Sequence, residues 1–261
     1  MDKIILVVMD GAGDRGTDTP LHKAYKPNID FITRLGSSGL VDIIAPGIRP
    51  GSDVAHLALL GYNPYEVYTG RGPFEAAGIG IELKPGDIAF RCNFATVDEN
   101  LIVVDRRAGR ISEGTEELAK VIDGMRIDDV RIIFKASVEH RAVLVLRGKG
   151  ISHLVTDTDP HSTNLRIANA RALSKKDSDA TRTANVLNKF TKESLKVLST
   201  HELNIKRKKA GKMPANIIIT RGAGIVKTLS PISERYGIKG VCIAGVALVK
   251  GVCKLAGFDI L

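Results

Sequence analysis

The 261-residue sequence has no tryptophan and only three cysteines, Cys92, Cys242 and Cys253, which lie far apart in no paired spacing. A small, odd number of cysteines argues against a secreted disulfide framework, and the missing Cys-x-x-Cys pair argues against a thiolate zinc site. The apolar run 3–9 is far shorter than the ~20 residues of a membrane span, and it leads into Asp10 without the cleavage region of a signal peptide. We therefore expect a cytoplasmic protein with no membrane partner.

Composition and charge narrow the class of ligand. The chain is 44% hydrophobic and 26% charged, which is typical of a globular protein and excludes collagen-like and disordered chains. Its net charge of +9 favours anionic ligands. The dense basic run 206–209 has no interleaved aromatic side chain, so we interpret it as a solvated helix end and expect no nucleic-acid partner.

The strand and helix patterns divide the chain into three parts. Apolar strand patterns at 3–9 and 40–44 alternate with helical ones, which is typical of a parallel α/β sheet. The middle part carries strand patterns at 88–97, 101–104, 131–134, 141–146 and 217–219 and one long amphipathic helix, which indicates an inserted α+β domain. The α/β pattern returns in the last part, with strands at 241–243 and 258–261. The predicted boundaries are 1–78 for the first part of the core, 79–236 for the insert and 237–261 for the start of the second part.

Two residues near the start of the chain carry candidate chemistry. Asp10 follows the first predicted strand and is flanked by glycine, where a carboxylate can hold a divalent cation or can bond its own backbone as a turn residue. Ser52 precedes a helical stretch, where unpaired amide groups would stabilise a phosphate on its hydroxyl, although a serine in this place can also be a simple helix cap. A hydroxyl nucleophile needs a base or a metal, and Asp10 is the candidate to hold that metal.

Nine segments, in order along the whole chain, resemble those of the archaeal-type cofactor-independent phosphoglycerate mutases, which belong to the alkaline-phosphatase superfamily. Each segment alone is a weak signal, but nine in register are a strong one. The segments are Met9-Asp-Gly-Ala-Gly-Asp14, Gly51-Ser-Asp-Val-Ala-His56, Gly61-Tyr-Asn-Pro-Tyr65, Gly70-Arg-Gly-Pro-Phe-Glu75, Phe90-Arg-Cys-Asn-Phe-Ala-Thr96, Asp105-Arg-Arg-Ala-Gly-Arg110, His140-Arg-Ala-Val-Leu-Val-Leu146, Asp157-Thr-Asp-Pro-His161 and Thr220-Arg-Gly-Ala-Gly224.

The resemblance implies an isomerase that interconverts 3-phosphoglycerate and 2-phosphoglycerate without 2,3-bisphosphoglycerate. Ser52 would accept the phosphoryl group, and the freed glycerate would reorient before the group returns to its other hydroxyl. Two divalent cations would assist, Mn²⁺ first and Mg²⁺ or Co²⁺ as alternatives, with Asp10 and Ser52 both bound to one of them. The implied fold is part of an alkaline-phosphatase-like parallel sheet with an inserted α+β substrate domain.

The insert offers side chains that could bind the substrate's phosphate and carboxylate. Arginine grips both groups with paired hydrogen bonds, although each arginine could instead form a surface ion pair. The arginines next to strands or glycine turns, Arg107, Arg141 and Arg221, are the better candidates. The full set of predicted substrate-binding residues is Arg106, Arg107, Arg110, His140, Arg141, Asp159, His161 and Arg221.

Three histidine and aspartate positions stay open between roles. Asp159 and His161 are interpreted as metal ligands, as substrate contacts or as parts of a turn. His56 lies one turn after Ser52, where it could act as a base or pack behind the serine.

Members of the resembling family continue beyond the point matched by Leu261 and carry further metal ligands in an Asp-His-Ser/Thr motif. This sequence contains no Asp-His pair. We therefore expect a truncated chain that is inactive alone. The alternatives are a phosphoglycerate- or anion-binding module without catalysis, and a metal-dependent phosphatase. The sequence predicts no oligomeric state.

Overall fold

A mixed α/β fold is seen in the computed structural model, which describes residues 3–14 and 16–261. The helices are α1 (Pro20–Lys23), α2 (Pro27–Leu35), α3 (Ser52–Leu59), α4 (Pro64–Val67), α5 (Gly72–Gly78), α6 (Thr115–Lys120), α7 (Ser178–Ser199), α8 (Glu202–Lys209), α9 (Ile232–Tyr236) and α10 (Ala247–Leu255). The strands are β1 (Ile88–Val97), β2 (Val103–Asp105), β3 (Arg126–Ile127), β4 (Val130–Ala136), β5 (Arg141–Arg147), β6 (Ile217–Gly224), β7 (Val241–Cys242) and β8 (Asp259–Ile260).

An antiparallel sheet forms the centre of the middle part. Its strands run in the order β2-β1-β5-β4-β3, and β6 pairs with β1 along the edge opposite β5. The apolar strand pattern at 88–97 becomes β1 with those same bounds, and the patterns at 131–134 and 141–146 become β4 and β5. A strand was predicted at 101–104, but the observed strand β2 begins two residues later. Leu101 instead closes a turn: it has a positive φ, and its amide donates a hydrogen bond to the Asp98 carbonyl.

The two faces of this sheet are covered differently. The face carrying Phe90 and Phe94 packs against α6 and α7 and forms the largest apolar core, in which Phe134 lies edge-on to Phe94. Side chains alternate between faces along a strand, so the intervening β1 residues, Arg91 and Asn93, point to the opposite face. That opposite face is apolar near α5 and polar along the middle of β1.

A second core joins α3, α5 and α10. It includes Leu57, Phe74 and Val252. The helices α5 and α10 approach so closely that a Cβ on Gly251 would overlap the Phe74 carbonyl. Only glycine fits at this position in the helix crossing. Through α10, the last part of the chain also packs against α3, the helix that begins at Ser52.

The strands predicted at 3–9 and 40–44 are wrong for the structure described here. Residues 3–9 form no strand and are exposed, and in the second segment Leu40 and Val41 are exposed while Ile43 and Ile44 are half-buried. Among the described residues, parallel pairing is limited to β7 and β8. An apolar run becomes a strand only when a neighbouring strand accepts its backbone hydrogen bonds, and no such neighbour flanks these runs in residues 3–14 and 16–261.

No helix in the described ranges is long and apolar enough to cross a bilayer.

Candidate active site

The predicted nucleophile lies at the start of α3, next to the predicted metal ligand. Gly51 is the N-cap residue of α3 and Ser52 is its first residue, so the interpretation of Ser52 as a helix cap is wrong. The Ser52 hydroxyl donates a hydrogen bond to Oδ2 of Asp10, at 3.0 Å, although the two residues are 42 positions apart. Asp10 occupies a turn in which the Ala12 amide bonds the Met9 carbonyl and Gly11 has a φ of +82°. The turn and the helix start therefore bring a carboxylate and a hydroxyl together.

Buried side chains hold the first turn of α3 in place. The His56 ring nitrogen Nδ1 lies 2.6 Å from the Ser52 carbonyl oxygen, so His56 packs behind the serine. The Tyr68 hydroxyl donates to Asp53 at 2.6 Å, and its ring stacks on Phe74 at 6.0 Å between centroids. Burial, and next the bond to Asp53, raise the pKa of Tyr68, so this phenol stays protonated as a donor.

A cluster of arginines occupies the polar face of the sheet, and we call it the arginine pocket: Arg71, Arg91, Arg141 and Arg221, with Asn93 and His140. The strand register builds it, because Arg91 is opposite Arg221 on β6 and Asn93 is opposite Arg141 on β5. Burial, followed by the charges of Arg221 and Arg71, lowers the pKa of Arg91 to about 10. Several cations thus lie close enough to one another for their charges to interact, and Arg91 among them is largely buried.

Several polar atoms in the arginine pocket are buried and lack a hydrogen-bond partner among the described residues. They are Nε of Arg91, Arg141 and Arg221, Oδ1 of Asn93 and Nδ1 of His140. Buried polar atoms are almost always paired, so such a group of them indicates a site for a ligand with acceptor oxygens. The cluster of positive charge indicates that this ligand is an anion.

His140 is a neutral member of this group. Its side chain is almost fully buried, and Glu139 Oε2 is 3.6 Å from its Nδ1. Burial first, and then the charges of Arg141 and Arg107, lower the pKa of His140 to about 4. The imidazole is therefore uncharged at neutral pH and can accept a hydrogen bond from a hydroxyl group.

Asp159 is the buried counter-ion of the arginines. It accepts two hydrogen bonds from Arg106, at 2.9 and 2.6 Å, and lies 3.8 Å from Nη1 of Arg221. Burial raises the pKa of Asp159, but the bonds from Arg106 and from the His161 amide outweigh it and the net pKa is lowered. Both carboxylate oxygens are thus already engaged.

The other residues predicted to bind substrate, His161, Arg107 and Arg110, are exposed. His161 is exposed and bonds Asp157 at 3.0 Å, and Asp157 in turn accepts the Gly222 amide, which ties this loop to β6. Arg107 is exposed, with its amide bonded to Asp105. Arg110 is also exposed and lines a separate cavity with Arg207 and Lys212, so the structure does not bring it to the arginine pocket.

Arg71, Arg91 and Asn93 lie in the site but are not among the residues that the sequence predicts. Arg71 bonds Glu75 at 2.9 Å, and Glu75 lies 3.7 Å from Nε of Arg91. A signal for Arg91 and Asn93 existed, because both interrupt the otherwise apolar pattern of β1 at alternate positions on one face. The segment from Tyr68 to Glu75 therefore contacts both the start of α3, through Asp53, and the arginine pocket.

The family of the chain follows from its match to known proteins. A family model described as 2,3-bisphosphoglycerate-independent phosphoglycerate mutase matches residues 33–204. The chain belongs to this family. The matched range includes Ser52, Arg91 and Arg141, which confirms the resemblance seen in the nine segments.

Relatives of this phosphoglycerate mutase family agree in sequence and fold. A 2,3-bisphosphoglycerate-independent phosphoglycerate mutase of Methanosphaera stadtmanae is 53% identical over 263 residues, covering 98% of this chain and 64% of that protein. One from Methanocaldococcus jannaschii is 53% identical, covering 99% of this chain and 64% of that protein. The solved cofactor-independent phosphoglycerate mutase of Thermoplasma acidophilum is 41% identical, with a TM-score of 0.64, over 80% of this chain and 56% of that chain. The α/β fold class is confirmed, and this chain spans 64% of the length of these two relatives.

Proposed function

We propose that this chain carries the nucleophile and the substrate pocket of a mutase that interconverts 3-phosphoglycerate and 2-phosphoglycerate. The observation that carries the proposal is the 3.0 Å hydrogen bond from Ser52 to Asp10 at the start of α3. A phosphoryl group on Ser52 would face the unpaired amides of that helix, where negative charge is stabilised. The relatives named above act without 2,3-bisphosphoglycerate, so the phosphoryl group would be held by the protein itself.

The proposed reaction uses Ser52 twice. Its Oγ attacks the substrate phosphorus, an Oγ–P bond forms, and the P–O bond to glycerate breaks. The proton lost from Oγ passes by way of the Asp10 carboxylate, 3.0 Å away, to the glycerate oxygen that leaves. The glycerate then turns, and its other hydroxyl attacks the phosphoserine: the new P–O bond forms, the Oγ–P bond breaks, and the proton of that hydroxyl returns to Ser52 Oγ, which restores the serine and yields the isomer.

The arginine pocket would retain the glycerate between the two transfers. Its buried Nε atoms can donate to carboxylate or phosphate oxygens, and the neutral His140 can accept from a hydroxyl. A glycerate that stays bound prevents water from reaching the phosphoserine, which distinguishes a mutase from a phosphatase. The roles of Arg106, Arg107, Arg110, His140, Arg141, Asp159, His161 and Arg221 in substrate binding, and the domain boundaries at 78 and 236, stay predictions.

Two divalent cations, with Mn²⁺ preferred, stay part of the proposal, as does a cytoplasmic location. In the described ranges no group of three or more His, Cys, Asp or Glu side chains could hold a metal ion. Asp10 and Ser52 offer one carboxylate and one hydroxyl, and this donor set does not hold two cations by itself. Asp159 is not available for a metal because its two oxygens bind Arg106. No step above is therefore assigned to a metal.

A chimaera tests the function. This chain is fused to the part of the Methanocaldococcus jannaschii relative that has no counterpart here, and turnover is measured in an enolase-coupled assay with Mn²⁺. We expect Ser52→Ala to abolish turnover and the trapped phosphoserine, whereas Ser112→Ala, at an exposed serine outside the site, changes the rate by less than twofold. Turnover that survives Ser52→Ala contradicts the proposal.

A second candidate function, an anion-binding module without catalysis, is favoured by one observation. The arginine pocket is built entirely from this chain, and its unpaired buried atoms need no metal to bind an anion. Calorimetry of the chain alone with 3-phosphoglycerate tests this. We expect binding that Arg91→Ala weakens at least tenfold, while Arg131→Ala, at an exposed arginine of β4, leaves it unchanged. Heat of binding without turnover in the chimaera would favour the module over the enzyme.

A further inference from the structure

Two arginines of the arginine pocket lie just beyond hydrogen-bond reach of a buried carboxylate. They are Arg91 and Arg221, which are opposite each other on β1 and β6, and we call them the inner pair. Nε of Arg91 lies 3.7 Å from Oε1 of Glu75, and Nη1 of Arg221 lies 3.8 Å from Oδ2 of Asp159. Hydrogen bonds between a guanidinium and a carboxylate are about 2.7–2.9 Å long. The buried Nε atoms of the inner pair therefore stay unpartnered among the described residues, although a negative charge is close to each arginine.

Each of these carboxylates is held in place by a different, outer arginine. Glu75 Oε1 accepts a hydrogen bond from Nε of Arg71 at 2.9 Å, and Asp159 accepts two from Arg106. The side chains of Glu75 and Asp159 are only 8% and 1% exposed. The bonds to the outer arginines thus keep both carboxylates short of the inner pair.

The packing of α5 on β1 sets the position of Glu75. A Cβ on Gly72 would overlap the Ala89 carbonyl, so the first turn of α5 lies directly on β1. Glu75 lies in that same turn. At this point the register between β1 and β6 shifts, between Ala89 and Arg91. The short distance from the Glu75 carboxylate to Arg91 therefore follows from a close contact between two backbone segments.

The two carboxylates oppose the mutual repulsion of the inner pair. Burial, followed by the charges of Arg221 and Arg71, lowers the pKa of Arg91, whereas the charge of Glu75 acts in the opposite direction. Burial also lowers the pKa of Arg221, and there the opposing charge is that of Asp159. Glu75 thus compensates positive charge without occupying the donor on Arg91.

The sum of these charges is close to that of the proposed ligand, with the opposite sign. The four arginines of the arginine pocket and Arg106 are five positive groups, and Glu75 and Asp159 are two negative groups, which leaves +3. A phosphate monoester carries about −1.5 to −2 at pH 7, so a phosphoglycerate with its carboxylate carries roughly −2.5 to −3. Without Glu75 the site would have one positive charge in excess.

We propose that Glu75 is a positioning residue that limits the affinity of the arginine pocket for anions. It holds Arg71, leaves the Arg91 donor free for a ligand oxygen, and its negative charge opposes part of the attraction between the pocket and that ligand. A pocket with one more positive charge would hold the glycerate more tightly and slow both its turn and the release of product. The limit on affinity rests on the contacts above, and its consequence for turnover rests on the proposed function.

Calorimetry of the 261-residue chain with inorganic phosphate at pH 7 tests the limit on affinity. Glu75→Gln keeps an acceptor oxygen for Arg71 and removes the charge. We expect the variant to bind phosphate at least fivefold more tightly than the parent, because a nearby negative charge is gone. A residue that only supports the fold would give weaker binding when changed. Unchanged or weaker binding would therefore overturn the proposal.

Asp87→Asn is the matched control for the loss of a buried carboxylate. Asp87 accepts two hydrogen bonds from Arg147, at 2.8 and 2.6 Å, and neither residue belongs to the arginine pocket. The change breaks a buried ion pair and should lower stability, but it should alter the affinity for phosphate less than twofold. An equal gain in affinity for Asp87→Asn and Glu75→Gln would mean that net charge alone governs binding, and the assignment to Glu75 would be wrong.

Thermal unfolding with and without phosphate follows the folding of Glu75→Gln. Loss of the carboxylate leaves buried positive charge uncompensated, so the Tm should fall without phosphate. Phosphate should raise the Tm of this variant more than that of the parent or of Asp87→Asn, because it binds the folded pocket. A Glu75→Gln chain that stays unfolded in phosphate would show a purely structural role and would contradict the proposal.

Steady-state kinetics of the chimaera separates this role from the proposed function. Glu75→Gln should lower KM and kcat together, since tighter binding slows product release, whereas a damaged pocket would raise KM. A raised KM counts against the role of Glu75. Tighter binding of phosphate by Glu75→Gln, together with a parent chimaera that shows no turnover, would leave this role intact and count against the proposed function.

Discussion

Replacing Asp159 by asparagine removes the buried counter-ion of the arginine pocket. Its side chain is 1% exposed and the Arg106 side chain is 23% exposed, so the pair is largely desolvated. Breaking a buried pair costs about 3–5 kcal/mol, and we expect the lower value, about 3 kcal/mol, because Arg106 keeps contact with water. In a chain of this size that loss corresponds to a decrease of roughly 6–12 °C in Tm.

The assay is thermal unfolding at pH 7 and low salt, followed by circular dichroism. Asp128→Asn is the matched control, since Asp128 and Lys189 form an ion pair in which both side chains are more than half exposed. Such surface pairs contribute less than about 1 kcal/mol. A decrease in Tm that is no larger for Asp159→Asn than for Asp128→Asn would show that Asp159 is not a stabilising buried counter-ion.

Anions and pH provide two further readouts of the same variant. Phosphate should stabilise Asp159→Asn more than the parent, because the variant pocket has one more uncompensated positive charge. The folded pKa of Asp159 is lowered, so its contribution to stability is present above the ordinary value of 3.8 and is lost as the pH falls through the folded pKa. The difference in Tm between parent and variant should therefore shrink below pH 3.8.

Three more outcomes follow from buried groups. Between pH 6.5 and about 4 the unfolded chain binds a proton at His140 that the folded chain does not bind. The free energy of unfolding should therefore fall as the pH decreases through this window. His140→Asn should flatten that part of the curve of unfolding free energy against pH. Tyr68→Phe leaves Asp53 without its buried hydrogen-bond donor and should lower the free energy of unfolding in urea by about 1–3 kcal/mol. Tyr65→Phe, at an exposed tyrosine, should leave that free energy unchanged. Equal losses for the two variants would contradict a stabilising role for the bond to Asp53. Gly251→Ala forces a methyl group against the Phe74 carbonyl and should lower the urea midpoint, while Gly245→Ala, which has open space, should not; a stable Gly251→Ala would mean that α5 and α10 are not closely packed.

Local pattern was enough to predict most strands of the antiparallel sheet, although not the two-residue strand β3. The strand at 88–97 was predicted to the residue, because its length and its apolar and β-branched side chains favour an extended backbone buried on both faces. The run 3–9 has a similar pattern and did not become a strand, since pairing depends on partners that the run itself does not contain. The same apolar pattern therefore forms a strand at 88–97 and none at 3–9, depending on whether neighbouring strands are present to pair with it.

In the candidate site, too, local motifs indicate some residues, whereas the roles of others depend on partners far away in the sequence. The segments around Asp10 and Ser52 marked both residues, and the structure places their side chains 3.0 Å apart. Arg91 was not predicted, although it lies in one of the nine segments, because its role depends on Arg221, which is 130 positions away and opposite it on β6. Asp159 is open between three roles in the sequence, and its two hydrogen bonds from Arg106 are a further contact that local pattern does not predict, because the two residues are 53 positions apart.

The sequence was sufficient to indicate which segments are apolar and to identify the family to which the chain belongs, and it predicts Ser52 as a nucleophile and several arginines as anion-binding residues. Tertiary structure alone decided which arginines share one face of the sheet and which apolar residues stay exposed. The reason is physical: hydrophobic periodicity is a local property, whereas strand register, burial and the pairing of charges depend on residues brought together from distant parts of the chain.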